Sequence, residues 1–239
     1  MRGILFDKDG TLVDFEATWS GVLQRLAFEF ADGDAARASV LMHAGGLDPV
    51  TGRIRAGSVF GAGNTRDLVR CWMPAESGAA FDAIVAHVDR AFVDNAARNS
   101  VPVAGMKQTL HALAADDLAM GVATNDATAA ALAALAALGV AELLPLVFGY
   151  DAVARPKPAP DSVHAFCEAI GAAPREIAVV GDNLHDLEMA RAAGAGAAVG
   201  VLTGNSAAHD LAPLADVVLA SVRDLPGWLR SRAAEKRPR

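Results

Sequence analysis

Two carboxylates stand close together near the start of the chain, directly after a short apolar run. Asp7 and Asp9 belong to the acidic segment at residues 7–14, which follows the apolar residues 3–6. In a half-buried site, two such charges repel each other by on the order of several kcal/mol unless a cation lies beside them. Ligation by oxygen alone favours Mg²⁺. The segment therefore indicates a magnesium site, although a strand followed by an Asp-Gly turn is the alternative interpretation.

A second acidic pair follows a later apolar run. Asp182 and Asp186 are four residues apart, where a helix is predicted to begin. This spacing predicts that both lie on one face of the first helical turn, where the helix dipole favours negative charge. A second pair at the end of another apolar run strengthens the prediction of a cation site.

Two further residues have the chemistry to bind an anion. Lys157 lies between prolines just before a predicted helix and is one of only four lysines in the chain. We interpret it as a fixed cation rather than as a solubilising one. Thr124 follows the apolar run 118–123 and offers a hydroxyl group and nearby backbone amides to an anion.

These polar residues end a series of apolar runs that alternate with helical patterns. Uninterrupted hydrophobicity is typical of strands that are covered on both faces, as in a parallel sheet. Glycines after the last turn end several of the helices. The predicted strands lie at 3–6, 118–123, 146–148, 177–180, 197–202 and 217–219, and the helices between them at 104–114, 128–138, 159–170 and 186–193. The pattern predicts an α/β fold with a doubly wound, mostly parallel sheet, whose site lies at the carboxyl ends of the strands.

One long segment departs from this alternation. Residues 15–98 show helical periodicity and no convincing strand. The first predicted helix of this segment has an apolar face formed by Trp19, Val22, Leu23, Leu26 and Phe30. We therefore predict two domains, a catalytic core formed by residues 1–14 and 99–239 and a helical cap domain formed by residues 15–98. The glycine-rich stretch 57–66 leads into a cap helix and could bind a substrate anion with help from Arg66, and a flexible connection between helices is the alternative.

Taken together, these segments resemble the four motifs of the haloacid dehalogenase superfamily. More narrowly, they are similar to its phosphoglycolate phosphatase-like branch, which has a helical cap after the first motif. The resemblance covers about residues 1–14 and 101–205. Two positions depart from the pattern of that branch, which usually has serine at the position of Phe15 and serine or threonine at that of Asn183.

The resemblance implies a role for each residue of the site. Asp7 would be the nucleophile that forms an aspartyl-phosphate, and Asp9 the general acid and base. Thr124 and Lys157 would bind the phosphoryl oxygens. Mg²⁺ would be held by the Asp7 carboxylate, the Asp9 carbonyl and Asp182, and Asp186 would hold a metal-bound water. The residues implied to bind the substrate are Gly10, Thr11, Asn125 and Arg66.

Composition limits the partners of the chain. Its 28 acidic and 21 basic residues give a net charge of −7, which disfavours nucleic acid and anionic membranes. The only cysteines, Cys71 and Cys167, have no paired spacing, and no apolar run reaches the length of a membrane span. We therefore expect a cytoplasmic protein, and we interpret the basic residues 236–239 as a frayed tail.

The motifs predict a Mg²⁺-dependent phosphatase that acts on a small phosphorylated metabolite, with 2-phosphoglycolate as the first candidate. A phosphosugar mutase of the beta-phosphoglucomutase type would share every core residue. A non-catalytic regulator on the same fold is a further alternative, although it would normally have lost one of the motif residues. Monomer and homodimer both remain open.

Overall fold

The computed structural model describes residues 1–48 and 50–235. In this part of the chain all six predicted strands are present and form one sheet, in the order β3-β2-β1-β4-β5-β6, with every neighbouring pair parallel. The strands are β1 (Gly3–Phe6), β2 (Ala119–Ala123), β3 (Leu146–Phe148), β4 (Ile177–Gly181), β5 (Ala197–Val201) and β6 (Val217–Leu219). The basic tail at 236–239 lies outside the described residues.

Helices connect the strands and fill the segment after β1. They are α1 (Phe15–Phe30), α2 (Ala35–Gly45), α3 (Val59–Ala62), α4 (Thr65–Trp72), α5 (Gly78–Asn99), α6 (Met106–Ala115), α7 (Thr128–Ala137), α8 (Asp161–Ile170), α9 (Leu184–Ala193), α10 (Ala208–Leu211) and α11 (Leu225–Glu235). Among the described residues, no helix combines the length and the apolar character needed to cross a membrane.

Both faces of the sheet are covered by apolar side chains. Along β1, Ile4 and Phe6 pack into one buried cluster with α6, while Leu5 packs into another with α8 and α9. Because successive residues of a strand point to opposite faces, a strand that is covered on both sides needs an apolar residue at every position. The double layer explains the uninterrupted apolar runs and confirms the predicted α/β fold with a doubly wound parallel sheet.

Helices α1 to α5 form an insertion between β1 and α6, and this insertion has its own apolar cluster. Trp19, Leu23 and Leu26 are buried there, on the predicted face of α1. The cluster extends to Ala130 and Ala134 of α7, against which α5 packs. The alanine-rich sequence of α7 therefore has a structural reason, since its small side chains allow the two helices to pack closely.

The sheet order brings the predicted site residues to one edge. Strands β2, β1 and β4 are neighbours, and Thr124, Asp7 and Asp182 each follow the last residue of one of them. Parallel strands end at the same side of a sheet, so these three residues must meet there.

Candidate active site

Three buried carboxylates converge at this edge of the sheet. One oxygen from each of Asp7, Asp182 and Asp186 lies within 4.8 Å of the other two. Asp182 precedes the helix rather than lying on it, because the cap of α9 is Asn183 and Asp186 is the third residue after that cap. The prediction that Asp182 and Asp186 share a helix face is therefore wrong. Their convergence results from the meeting of a strand end with a helix N-terminus.

Lys157 binds two of these carboxylates. Its buried ammonium group lies 2.6 Å from an oxygen of Asp7 and 2.6 Å from an oxygen of Asp186. Burial alone would lower the pKa of Lys157, but the charges of Asp186 and Asp7 outweigh this effect and raise it above its ordinary value. Lys157 is therefore a permanent cation in the site, as predicted from its proline-flanked position.

The site holds more negative than positive charge. Burial, opposed by Lys157, raises the pKa of Asp7 to about 7, and burial with the neighbouring charge of Asp7 raises the pKa of Asp182 well above its ordinary value. The charged groups of the site are Asp7, Asp9, Asp126, Asp182 and Asp186 against Lys8 and Lys157. An all-oxygen cluster with this excess charge fits a hard divalent cation.

Gly10 and Thr11 support Asp182 rather than lining the cavity. Gly10 has a φ of 79°, and a Cβ atom there would collide with the Asp182 carboxylate. Glycine is therefore required both by the backbone conformation and by the close approach. The buried Thr11 hydroxyl lies 3.4 Å from Asp182, and Thr203 donates to the Gly10 carbonyl at 2.6 Å. The structure thus places neither residue where the predicted contact with substrate would require it.

Asp9 is held by two donors that the motifs did not identify. Trp19 of α1 donates its indole N–H to one oxygen of Asp9 at 2.6 Å, and Lys8 pairs with the other oxygen. Lys8 is completely buried, lies 2.9 Å from Asp126, and stacks over the Trp19 ring at 4.8 Å. The insertion therefore contacts the predicted acid–base residue directly. A lysine between the two aspartates of a motif was the available signal for this network.

Lys8 stabilises the folded protein because it compensates two buried or partly buried carboxylates. Burial alone would lower its pKa, but Asp126 and Asp9 raise it, so Lys8 remains charged and compensates two carboxylates. Removing one partner of a buried ion pair destabilises a protein by about 3–5 kcal/mol. We expect Lys8→Met to lower the free energy of unfolding by about 3 kcal/mol in a denaturant titration. The matched variant of an exposed lysine, Lys107→Met, should change it by less than about 0.5 kcal/mol, and equal effects of the two would contradict this prediction.

The same cavity has the groups expected to bind a phosphoryl group. Thr124, Asn125 and Lys157 line it together with Asp7 and Asp9. The Thr124 hydroxyl oxygen accepts a hydrogen bond from the Asp126 amide at 3.1 Å, so its hydrogen is available to an anion. These predicted residues are therefore brought together as the motifs require.

The glycine-rich stretch of the insertion covers the cavity. Phe60 to Gly63 line it, and the carbonyl groups of Gly61 and Ala62 accept hydrogen bonds from the core. Asn183 donates to the Gly61 carbonyl at 3.0 Å, and Asn125 donates to the Ala62 carbonyl at 2.7 Å. The stretch contains the short helix α3 and is bonded to the core through carbonyl oxygens, which are not groups that bind an anion. The two departures from the family pattern, Phe15 and Asn183, both lie at this boundary.

Arg66 is not brought to the site. Its guanidinium group pairs with Asp82 of α5 at 3.0 Å and stacks on Phe81 at 4.9 Å, on the exposed surface of the insertion. The reason is helical geometry, because Thr65 and Leu68 occupy the buried face of α4 and Arg66 lies on another face. The predicted contact between Arg66 and substrate is therefore not supported. His185, by contrast, lines the cavity, and its Nδ1 atom has no hydrogen-bond partner among the described residues.

Comparison with known proteins agrees with this geometry. The family model for haloacid dehalogenase-like hydrolases matches residues 1–194. The phosphoglycolate phosphatase of Escherichia coli K12 is 31% identical over 247 residues, which cover 94% of this chain and 91% of that protein.

Solved structures share the fold at lower identity. A predicted phosphoglycolate phosphatase from Haemophilus somnus has a TM-score of 0.73 and 22% identity, covering 96% of this chain and 98% of its own. A candidate beta-phosphoglucomutase from Thermotoga maritima has a TM-score of 0.69 and 18% identity, covering 97% and 99%. Both similarities concern the fold, which is common to proteins of more than one activity.

Proposed function

Since this chain belongs to the haloacid dehalogenase-like hydrolases and is a phosphatase of that family, we propose that it hydrolyses a small phosphorylated metabolite in a Mg²⁺-dependent reaction through an aspartyl-phosphate on Asp7. The observation that supports this most directly is the buried cluster of Asp7, Asp182 and Asp186 beside Lys157. The names of the relatives make 2-phosphoglycolate the first substrate to test. The cytoplasmic location expected from the cysteine content is part of the same proposal.

The reaction proceeds in two displacements at phosphorus. In the first, a carboxylate oxygen of Asp7 bonds to phosphorus while the bond to the alcohol oxygen breaks, and Asp9, which must enter this step in its protonated form, donates its proton to that oxygen. In the second, Asp9 takes a proton from water as the water oxygen attacks phosphorus. Inorganic phosphate is then released and Asp7 is regenerated. Both aspartates line the same cavity, as this sequence of steps requires.

Thr124 and Lys157 stabilise charge on the transferred group. The Thr124 hydroxyl donates to one phosphoryl oxygen, and the ammonium group of Lys157 neutralises charge that develops in the transition state. The insertion, residues 15–98 in the domain division that we propose, acts as a cap that excludes bulk water. It is hydrogen-bonded to Asn125 and Asn183, which line the cavity.

The residues fit a magnesium ion. The carboxylates of Asp7 and Asp182 and the carbonyl of Asp9 would hold it, with Asp186 binding a water of its coordination shell. When bound, Mg²⁺ supplies Lewis-acid polarisation of a phosphoryl oxygen and offsets the excess negative charge of the site. Without it, the cluster repels a phosphate dianion.

The test is phosphate release from 2-phosphoglycolate and other small phosphomonoesters, with and without EDTA. We expect hydrolysis that EDTA abolishes and that added Mg²⁺ restores, because the metal-free carboxylates repel the substrate. Ca²⁺ serves as a control of the same charge but larger size and different coordination geometry, and should restore little activity. Hydrolysis at the full rate in EDTA would contradict the metal dependence.

The same assay separates the two alternatives. A phosphosugar mutase would convert a hexose 1-phosphate into an isomer without releasing phosphate. A non-catalytic regulator would do neither, although Asp7, Asp9, Lys157 and Asp182 are all present. Product analysis for both phosphate and isomerised sugar therefore decides between the three functions.

A further inference from the structure

A second cavity continues from the proposed phosphate site into the insertion. The two cavities share Phe15, Phe60, Gly63 and Asp126 as lining residues. They enclose about 430 Å³ and about 380 Å³ with their open mouths included, which suits a small molecule. Beyond the shared residues, the lining of the second cavity is mainly aromatic and aliphatic, and includes Trp19, Leu23, Leu68 and Phe92.

We infer that this second cavity holds the alcohol half of the substrate, and that this half is uncharged, with an apolar face and one polar atom that bonds to Thr65. The inference rests on the proposed phosphatase function and concerns only which phosphomonoester is used. Asp9, which is to protonate the alcohol oxygen, lies between the two cavities, since it lines the first and is bonded to Trp19 of the second.

The charges around the second cavity disfavour a substrate carboxylate. Among the described residues that line either cavity, Lys157 is the one permanent cation, and Asp7 and Asp186 already bind it. Lys8 is paired with both Asp9 and Asp126. A carboxylate in the second cavity would therefore lie among apolar groups, near acidic side chains and without a free counter-charge, which is unfavourable.

Among the described residues that line this cavity, Thr65 carries the one buried polar group with neither a hydrogen-bond partner nor an ion-pair partner, since the corresponding oxygen of Asp126 pairs with Lys8 at 2.9 Å. It is 2% exposed, and its hydroxyl group has no hydrogen-bond partner among the described residues. The other polar groups are engaged, since the Asn64 side-chain oxygen caps α4 and the Trp19 indole N–H is bonded to Asp9. A buried hydroxyl group without a partner is costly, so a hydroxyl or amide group of the substrate is its natural partner.

The test compares two esters of nearly the same size, one with a charged carboxylate and the other with a neutral amide. We expect kcat/KM for 2-phosphoglycolamide to exceed that for 2-phosphoglycolate by at least about tenfold, because the site rejects a carboxylate that it cannot pair. Equal values, or a preference for 2-phosphoglycolate, would overturn the inference while leaving the phosphatase function intact. If neither ester nor p-nitrophenyl phosphate releases phosphate, the proposed function is wrong and the inference falls with it.

Two variants test the contact itself. Thr65→Val preserves shape and removes the hydroxyl group, and should lower kcat/KM for 2-phosphoglycolamide by about tenfold, mainly through KM, whereas Thr65→Ser should retain most of it. An unchanged KM in Thr65→Val would overturn the assigned contact. In the neighbouring variant Arg66→Ala, KM for 2-phosphoglycolate should not change, and a rise would instead assign the substrate carboxylate to Arg66.

Discussion

Asp7→Asn should release no measurable phosphate from any phosphomonoester that the wild-type chain hydrolyses. The change removes the carboxylate that attacks phosphorus, and an amide oxygen is not a nucleophile for this step. Removal of a nucleophile that acts together with an acid–base residue and a fixed cation lowers kcat by at least about 10⁴-fold. The measurement is phosphate release under saturating substrate, with protein concentrations high enough that a rate about 10⁴-fold below that of the wild type would be detected.

The same variant should remain folded, which separates lost chemistry from lost structure. Burial raises the pKa of Asp7 to about 7, so its charged form is unfavourable in the folded protein at pH 8. A neutral side chain of the same shape removes this cost and can still accept a hydrogen bond from Lys157. The free energy of unfolding of the metal-free variant at pH 8 should therefore not fall below that of the wild type. Retention of full activity would exclude Asp7 as the nucleophile.

The fold and most of the site could be predicted from the sequence because they depend on short-range patterns. Each strand is covered on both faces, so its apolar run was uninterrupted and its end was marked by a polar residue. In a parallel sheet these ends lie on one side, so Asp7, Thr124 and Asp182 had to be close together once their strands were adjacent. The sheet order itself was not predicted. The four motifs were assigned to one site because of their resemblance to a family.

The residues that were missed depend on contacts between distant segments. Lys8 lies inside the first motif, yet its partners include Asp126 of the core and the ring of Trp19 in the insertion. Trp19 was expected only in the apolar face of α1, and it is buried there while its indole N–H also bonds to Asp9. No periodicity distinguishes a tryptophan that only packs from one that also donates a hydrogen bond to the site.

Arg66, by contrast, was predicted to bind the substrate, and the structure places it away from the cavity. A glycine-rich stretch before a helix suggested an anion site with a nearby cation, but the start of α4 at Thr65 decides which residues face inward. A shift of one residue in a helix rotates a side chain by about 100°, and boundaries are hard to predict to that accuracy. The buried neighbour Thr65, rather than the charged Arg66, is the residue that lines a cavity.

Lys157→Met should lower both activity and stability, in contrast to Asp7→Asn. The ammonium group lies 2.6 Å from Asp7 and 2.6 Å from Asp186, and no other permanent cation among the described residues lines the cavity. Without it, kcat should fall by about 10³-fold, because charge that develops on the phosphoryl group is no longer neutralised. The unpaired buried carboxylates should lower the free energy of unfolding by about 3–5 kcal/mol in EDTA.

In Lys157→Met, added Mg²⁺ should separate the effect on stability from the effect on activity. A divalent cation at the three carboxylates compensates part of the charge that Lys157 balanced, so the metal should raise the unfolding temperature of Lys157→Met more than that of the wild type. Activity should not recover in parallel, since the metal cannot take the position of the ammonium group beside the phosphoryl oxygens. Lys107→Met, which removes an exposed lysine elsewhere, serves as the control for the change in net charge. If Lys157→Met is as stable in EDTA as that control, the carboxylates do not depend on Lys157 and the electrostatic basis of the proposed site is wrong.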